Sequence, residues 1–238
     1  MPNTNKTLIA VVLDRSGSMQ ALRESTVAGL NTFLEGQKAL PGDVTLHFVQ
    51  FDDQYEYAKY FTNLRDTKPL TQADFEPRGS TALLDAIGRT ITEVGAKLAA
   101  TPEADRPGKV VFVVQTDGFE NASREFNHAR IQDMIKHQRE KYSWEFVFLA
   151  AGQDAIVSGG ALGFLPNQAL TYNANAVSTR KGFSAVSRAI GSYRSNMSAN
   201  AVYSAQDKAD VVDDSKTDLT DSEALDKLLT IVPDVKTP

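Results

Sequence analysis

Three short stretches of this chain, residues 8–13, 110–114 and 146–151, are almost continuously apolar. A strand needs that composition when both its faces are covered, as in the middle of a parallel sheet packed by helices. Between these stretches run segments of helical period. Val27, Leu30, Phe33 and Leu34 form one apolar stripe, which stops before Pro41-Gly42. Leu84, Ile87, Ile91, Val94 and Leu98 form a second, Ile131, Met134 and Ile135 a third, and Phe183, Val186, Ile190, Tyr193 and Met197 a last. Spacing of three and four puts each set on one helix face, and the economical role of such a face is to cover the sheet. Residues 44–51 alternate more, as a strand nearer an edge does. Residues 55–61 follow Asp52-Asp53 closely enough for a tight hairpin, which makes that strand antiparallel. Residues 169–172 are a weak sixth strand. The expected fold is α/β, doubly wound, with helices on both faces of a mostly parallel six-stranded sheet carrying one antiparallel edge strand.

Composition narrows the function. Of 238 residues, 42% are hydrophobic and 23% charged, and there is no cysteine. Disulfides and thiolate metal sites are therefore excluded. No apolar run approaches the 18 residues of a membrane span, and the polar start, residues 1–6, shows no signal peptide. A cytoplasmic location is expected. The net charge of −5 is confined to residues 201–238, which hold nine acids and four lysines; the rest is balanced. A neutral body with an acidic end has no general attraction for nucleic acid or anionic membrane. We expect one domain over residues 1–199, then an acidic, largely flexible tail over 200–238. Within it, Ala224, Leu225, Leu228 and Leu229 suit a short amphipathic helix near 222–231 that docks on the body or on a partner.

The chemistry concentrates where the first strand ends. Asp14-Arg15-Ser16-Gly17-Ser18 lies directly after residues 8–13 and before a helix. Ligands of open parallel sheets bind outside the carboxyl ends of the strands. Alternate residues Asp14, Ser16 and Ser18 in a tight turn can aim their oxygens at one point. Carboxylate and hydroxyl oxygens without His or Cys suit a hard cation, Mg²⁺, Mn²⁺ or Ca²⁺. The same residues are also good helix caps, so this motif alone leaves both roles open. Two more segments sit at equivalent junctions: Arg78-Gly79-Ser80-Thr81 before the second helix, and Gln115-Thr116-Asp117-Gly118 after the strand at 110–114.

This ordered triple set resembles the metal-ion-dependent adhesion site of von Willebrand factor A domains, and the resemblance covers roughly residues 6–197. Gly79-Ser80-Thr81-Ala82-Leu83-Leu84-Asp85 and Thr116-Asp117-Gly118-Phe119-Glu120-Asn121 are most similar to small stand-alone bacterial and phage members, including the tellurite-resistance-associated type. The resemblance implies strand order 3-2-1-4-5-6 and a divalent cation, Mg²⁺ foremost. It implies Ser16 and Ser18 as direct ligands and Asp14 and Asp117 as direct or water-mediated ones. Thr81 would be a ligand gained or lost as its loop shifts. An Asp or Glu from a protein partner, or from a second copy of this chain, would complete the shell. Arg15, Phe119 and Glu120 are expected around the mouth, either as a partner-binding rim or as plain exposed loop.

Other functions fit less well. Haloacid dehalogenase-type phosphatases need an acid where this chain has Ser16. There is no Gly-x-x-x-x-Gly-Lys-Ser/Thr loop and no Gly-x-Ser-x-Gly elbow. His47 falls in a strand, and His128 and His137 fall on an exposed helix face, so a metal-dependent hydrolase is disfavoured and no enzyme is expected. Asp52-Asp53 reads as a hairpin turn rather than a second cation site. Asn121-Ala122-Ser123 and Asn196-Met197-Ser198 match the glycosylation sequon by coincidence when no secretory signal is seen. The remaining alternative is a homo-oligomeric scaffold or virion-associated component in a phage.

Overall fold

The computed structural model describes residues 1–152 and 155–213. Within these residues, six strands form one sheet: β1 (Asn3–Asp14), β2 (Asp43–Phe51), β3 (Tyr55–Asn63), β4 (Pro107–Thr116), β5 (Glu145–Ala151) and β6 (Ala169–Tyr172). Their order is β3-β2-β1-β4-β5-β6. All neighbours are parallel except β2 and β3. The chain order reverses between β1 and β4, so the loops at the carboxyl ends of these two strands face each other across a crevice.

Among the described residues, six helices cover the sheet: α1 (Arg23–Ala39), α2 (Leu83–Ala100), α3 (His128–Tyr142), α4 (Ala155–Ala161), α5 (Ala176–Arg194) and α6 (Ala205–Asp210). The alternation of each strand divides the core between them. Ile9, Val11 and Leu13 of β1 pack with Leu30 and Phe33 of α1 and Phe183 and Ile190 of α5. Leu8, Ala10 and Val12 pack on the other face with Ile87 and Ile91 of α2 and Ile131 and Ile135 of α3. The apolar stripes therefore bury as their spacing requires. Asn127 and Asn175 start α3 and α5, each accepting a hydrogen bond from the amide three residues on. Among the described residues no helix is long and apolar enough to cross a membrane.

Two elements depart from expectation. α4, Ala-Ile-Val-Ser-Gly-Gly-Ala, is short and holds two glycines, so it lacks a readable stripe. α6 lies in the segment that composition assigns to the tail. Ser204 and Asp207 form a capping box there, and Arg188 of α5 pairs with Asp207. Ala201, Tyr203 and Val211 are buried beneath it. Burying Tyr203 contributes on the order of 2 kcal/mol toward holding this otherwise polar segment, alongside Ala201, Val211 and the Arg188–Asp207 pair. Residues 200–211 thus pack on the body rather than leaving it at 199. The short helix expected near 222–231 lies outside the described residues.

Candidate metal centre

Asp14, the last residue of β1, is fully buried. One of its carboxylate oxygens accepts the Ser16 amide at 2.7 Å and the other accepts the Thr116 hydroxyl, at the end of β4, at 2.6 Å. Burial dominates over these hydrogen bonds and pushes its carboxyl from 3.8 up to about 6. Asp117 follows Thr116 and is also raised by burial, with the Ser18 hydroxyl donating to it at 2.7 Å. The Ser16 and Ser18 hydroxyls lie 3.1 Å apart.

Helix capping does not account for these serines. The turn at Gly17–Leu22 begins after Ser16 without a side-chain cap, and α1 begins after Leu22 in the same way. The serine hydroxyls point instead into the crevice, toward Thr81. That threonine is 3% exposed and held by main-chain bonds: its amide donates to the Asn121 side chain at 2.9 Å, and its carbonyl accepts from the Asn121 amide at 3.0 Å.

Gly118 shows where these oxygens converge. A methyl group built on its Cα would sit 3.2 Å from Thr81 Oγ1, 3.5 Å from Ser18 Oγ and 3.8 Å from Ser16 Oγ. A side chain at this position would occupy the space that the three hydroxyls surround. Asp14, Ser16, Ser18, Thr81 and Asp117, drawn from three loops up to 103 positions apart, are thus brought together. Two carboxylates and three hydroxyls are the donor set of a hard cation. Among the described residues no three His, Cys, Asp or Glu side chains gather as metal ligands. A site of this kind rests on hydroxyls instead.

The expected rim is only partly a rim. Phe119 is 75% exposed beside the crevice. Arg15 is 6% exposed and turns away from it. Its guanidinium contacts Asp52 at 3.1 Å and Glu56 at 2.8 Å, and Arg78 binds the same two carboxylates. This four-residue clamp ties the loop after β1 to the β2–β3 hairpin and to the loop carrying Thr81. It holds Glu56 ionised down to about 2, through the Arg15 hydrogen bond foremost. Asp52 also accepts the Gln54 amide, as the hairpin role requires. Glu120 is likewise structural. Its carboxylate accepts the amides of Leu84, Ala122 and Ser123 and the Ser123 hydroxyl. It therefore caps the start of α2 and folds its own loop.

Further positioning residues lie within the motif segments, with no role assigned to them from sequence. Asp85, in the first turn of α2, accepts the amides of Arg124, Glu125 and Phe126 and so pins the loop after β4. An acid amid the apolar stripe of α2 was the available signal. Thr116 and Asn121 hold Asp14 and Thr81 by short side-chain bonds that no spacing rule announces. His47 is buried in β2 against Phe61 and Glu93, far from the crevice in chain topology, and His128 and His137 are exposed.

No family model matches the chain, and no curated protein does. Solved structures do. The von Willebrand factor type A protein from Catenulispora acidiphila aligns with TM-score 0.51 at 14% identity, over 75% of this chain and 41% of that one. The pilus adhesin SpaC from Lactobacillus rhamnosus GG, in its open conformation, aligns with TM-score 0.57 at 14% identity, over 80% and 30%. The vWF domain of the type V pili tip protein Mfa5 from Porphyromonas gingivalis gives TM-score 0.52 at 11% identity, over 77% and 94%. The chain thus spans less than half the length of the first two and nearly all of the third. With its strand order, its single antiparallel edge and its crevice between β1 and β4, this chain has the von Willebrand factor A fold.

Proposed function

We propose that this chain is a metal-dependent protein-binding module without catalytic activity. One divalent cation, Mg²⁺ foremost and Mn²⁺ or Ca²⁺ otherwise, would be held by Ser16, Ser18 and Thr81. Asp14 and Asp117 would bind it directly or through water. The observation that carries this reading is the convergence of three hydroxyls on the space left open by Gly118, with the two carboxylates beside it. Asp14 and Asp117 together neutralise a dication, but with neutral hydroxyls as direct ligands an open coordination position would remain for an external carboxylate oxygen. The fitting partner group is an Asp or Glu carboxylate of another protein. Aligned structures described as a pilus adhesin and a pili tip protein agree with a binding role. The segments around Thr81 and Asp117 favour the small stand-alone bacterial and phage branch, and with it a cytoplasmic or virion-associated setting.

Catalysis is disfavoured by the site's own groups. Ser16 stands where a phosphatase would carry its general acid, and no histidine lies among the five candidate ligands. The test is capture of partners on the immobilised full chain in Mg²⁺ and again in chelator. Release by chelator, and no capture by an Asp14→Ala/Asp117→Ala variant, is the expected result. Capture that ignores both contradicts it. Light scattering under the same two conditions shows whether the partner is a second copy.

A further inference from the structure

Gly118 separates two spaces. On one side lie the three hydroxyls of the candidate metal centre. On the other is a mostly apolar groove of about 440 Å³, whose lining includes Leu83 at the start of α2, Phe148 of β5 and Leu162 after α4. These three belong to the buried cluster on the α2 and α3 face of the sheet. Phe119 and Val157 form the lips of the groove and are 75% and 68% exposed. Large apolar side chains exposed together around a concavity mark a binding surface rather than random exposure. Because the loop after β4 supplies both Asp117 and Phe119, the groove is continuous with the crevice that holds the candidate ligands.

Its charge suits the same partner as the ion. Glu120 is the one carboxylate in the groove lining. It is spent on its own loop and on the start of α2, accepting three amides and the Ser123 hydroxyl. The lining therefore offers no uncommitted acid to repel an incoming Asp or Glu. Distance fits as well. One glycine's main chain lies between the two spaces, and neighbouring backbones pack on the order of 5 Å apart. In an extended segment, residues two positions apart project to the same side at about 7 Å. A segment crossing Gly118 can thus set a carboxylate over the hydroxyls and a second side chain over the groove.

We infer that the groove is a specificity subsite of the candidate metal centre. It takes a large apolar side chain, Leu, Ile, Met or Phe, two residues from the partner carboxylate that completes the ion's shell. The position of that carboxylate rests on the metal-binding reading; the apolar contact rests on the groove. The occupant is an extended segment of another protein. The ion attracts any acid, so discrimination between acids has to come from what lies beside it. A carboxylate without an apolar neighbour leaves Phe119 and Val157 uncovered.

Two synthetic heptapeptides test this. One carries glutamate and phenylalanine separated by a single glycine in a Gly/Ser background; the other has serine in place of phenylalanine. Each is made in both chain orders and titrated at up to millimolar concentration into the full chain, followed by NMR, in Mg²⁺ and in chelator. A separate calorimetric titration reads Mg²⁺ binding. The better order of the phenylalanine peptide should bind at least tenfold more tightly than its serine counterpart in Mg²⁺, as burial of one aromatic side chain requires. In a Phe119→Ser/Val157→Ser chain that ratio should fall close to one. Equal affinities for the native chain in Mg²⁺, both lost in chelator, overturn the subsite and leave the metal reading standing. A ratio that survives in the double variant also overturns it, as does failure of both peptides to bind. No Mg²⁺ heat, with the same affinities in both buffers, refutes the metal reading and the pairing of ion and groove with it. Dimerisation of the native chain in Mg²⁺ that the double variant abolishes overturns the inference in favour of a second copy.

Discussion

Asp14→Asn should make the metal-free protein more stable while abolishing its response to metal. In the folded chain the Asp14 carboxyl is raised from 3.8 to about 6 by burial. The folded state thus keeps a proton that the unfolded chain releases between about pH 4 and pH 6. Stability from this group is full below the unfolded value and is lost as pH rises through the folded one. At pH 7.5 the buried carboxylate costs on the order of 3 kcal/mol. An amide of the same shape removes the charge and still accepts from the Ser16 amide. The Thr116 hydroxyl must turn to accept from the new amide nitrogen; it already lies 3.2 Å from the Gly118 carbonyl, a ready acceptor. That rearrangement and the loss of a charged acceptor return about 1–2 kcal/mol. The net gain is about 1–2 kcal/mol, roughly 2–8 °C in Tm for a domain of this size. Thermal unfolding in chelator at pH 7.5 and pH 5 reads both parts. The variant should melt higher at pH 7.5 and lose its advantage at the lower pH. Saturating Mg²⁺ should raise the native chain alone, by mass action. A variant that melts lower than the native chain in chelator at pH 7.5, or that keeps the Mg²⁺ gain, refutes the reasoning.

Gly118→Ala should weaken Mg²⁺ binding at least tenfold with a stability change of about 1 kcal/mol or less, because its methyl enters the space between the hydroxyls rather than the core; calorimetry and urea unfolding separate the two. Arg15→Met should destabilise by about 2 kcal/mol in urea unfolding, since fully buried Asp52 then keeps Arg78 as its one remaining cation in the clamp; a partner-contacting rim residue would change capture and leave stability alone. Phe119→Ser, at an exposed position, should leave stability within about 0.5 kcal/mol. Mg²⁺ affinity should fall about tenfold per pH unit below pH 6, as protons compete for Asp14; a flat profile from pH 7 to pH 5 would show that this carboxylate does not serve the ion.

The fold was legible because each of its long elements carries its own period. β1, β4 and β5 are apolar on both faces since both faces are covered, and α2 repeats its apolar residues every three or four positions. The five candidate ligands were legible for a related reason: each stands at a junction where the topology must place it near the crevice. Orientation was not. Arg15 follows Asp14 in a loop, and nothing local says that its guanidinium will find carboxylates 37 and 41 positions later. Glu120 reads as an exposed loop acid until its loop is seen folded over the start of α2. α6 failed as a composition argument, because a capping box and one arginine on α5 suffice to hold an acidic turn over Tyr203.

Whether these loops hold an ion decides the function of the crevice. Calorimetric titration of Mg²⁺ or Mn²⁺ into the full chain should give saturable binding of one ion per chain, and none in the Asp14→Ala/Asp117→Ala variant. Equal heats from the two proteins, or no heat from the native chain with either metal at pH 7.5, would contradict it.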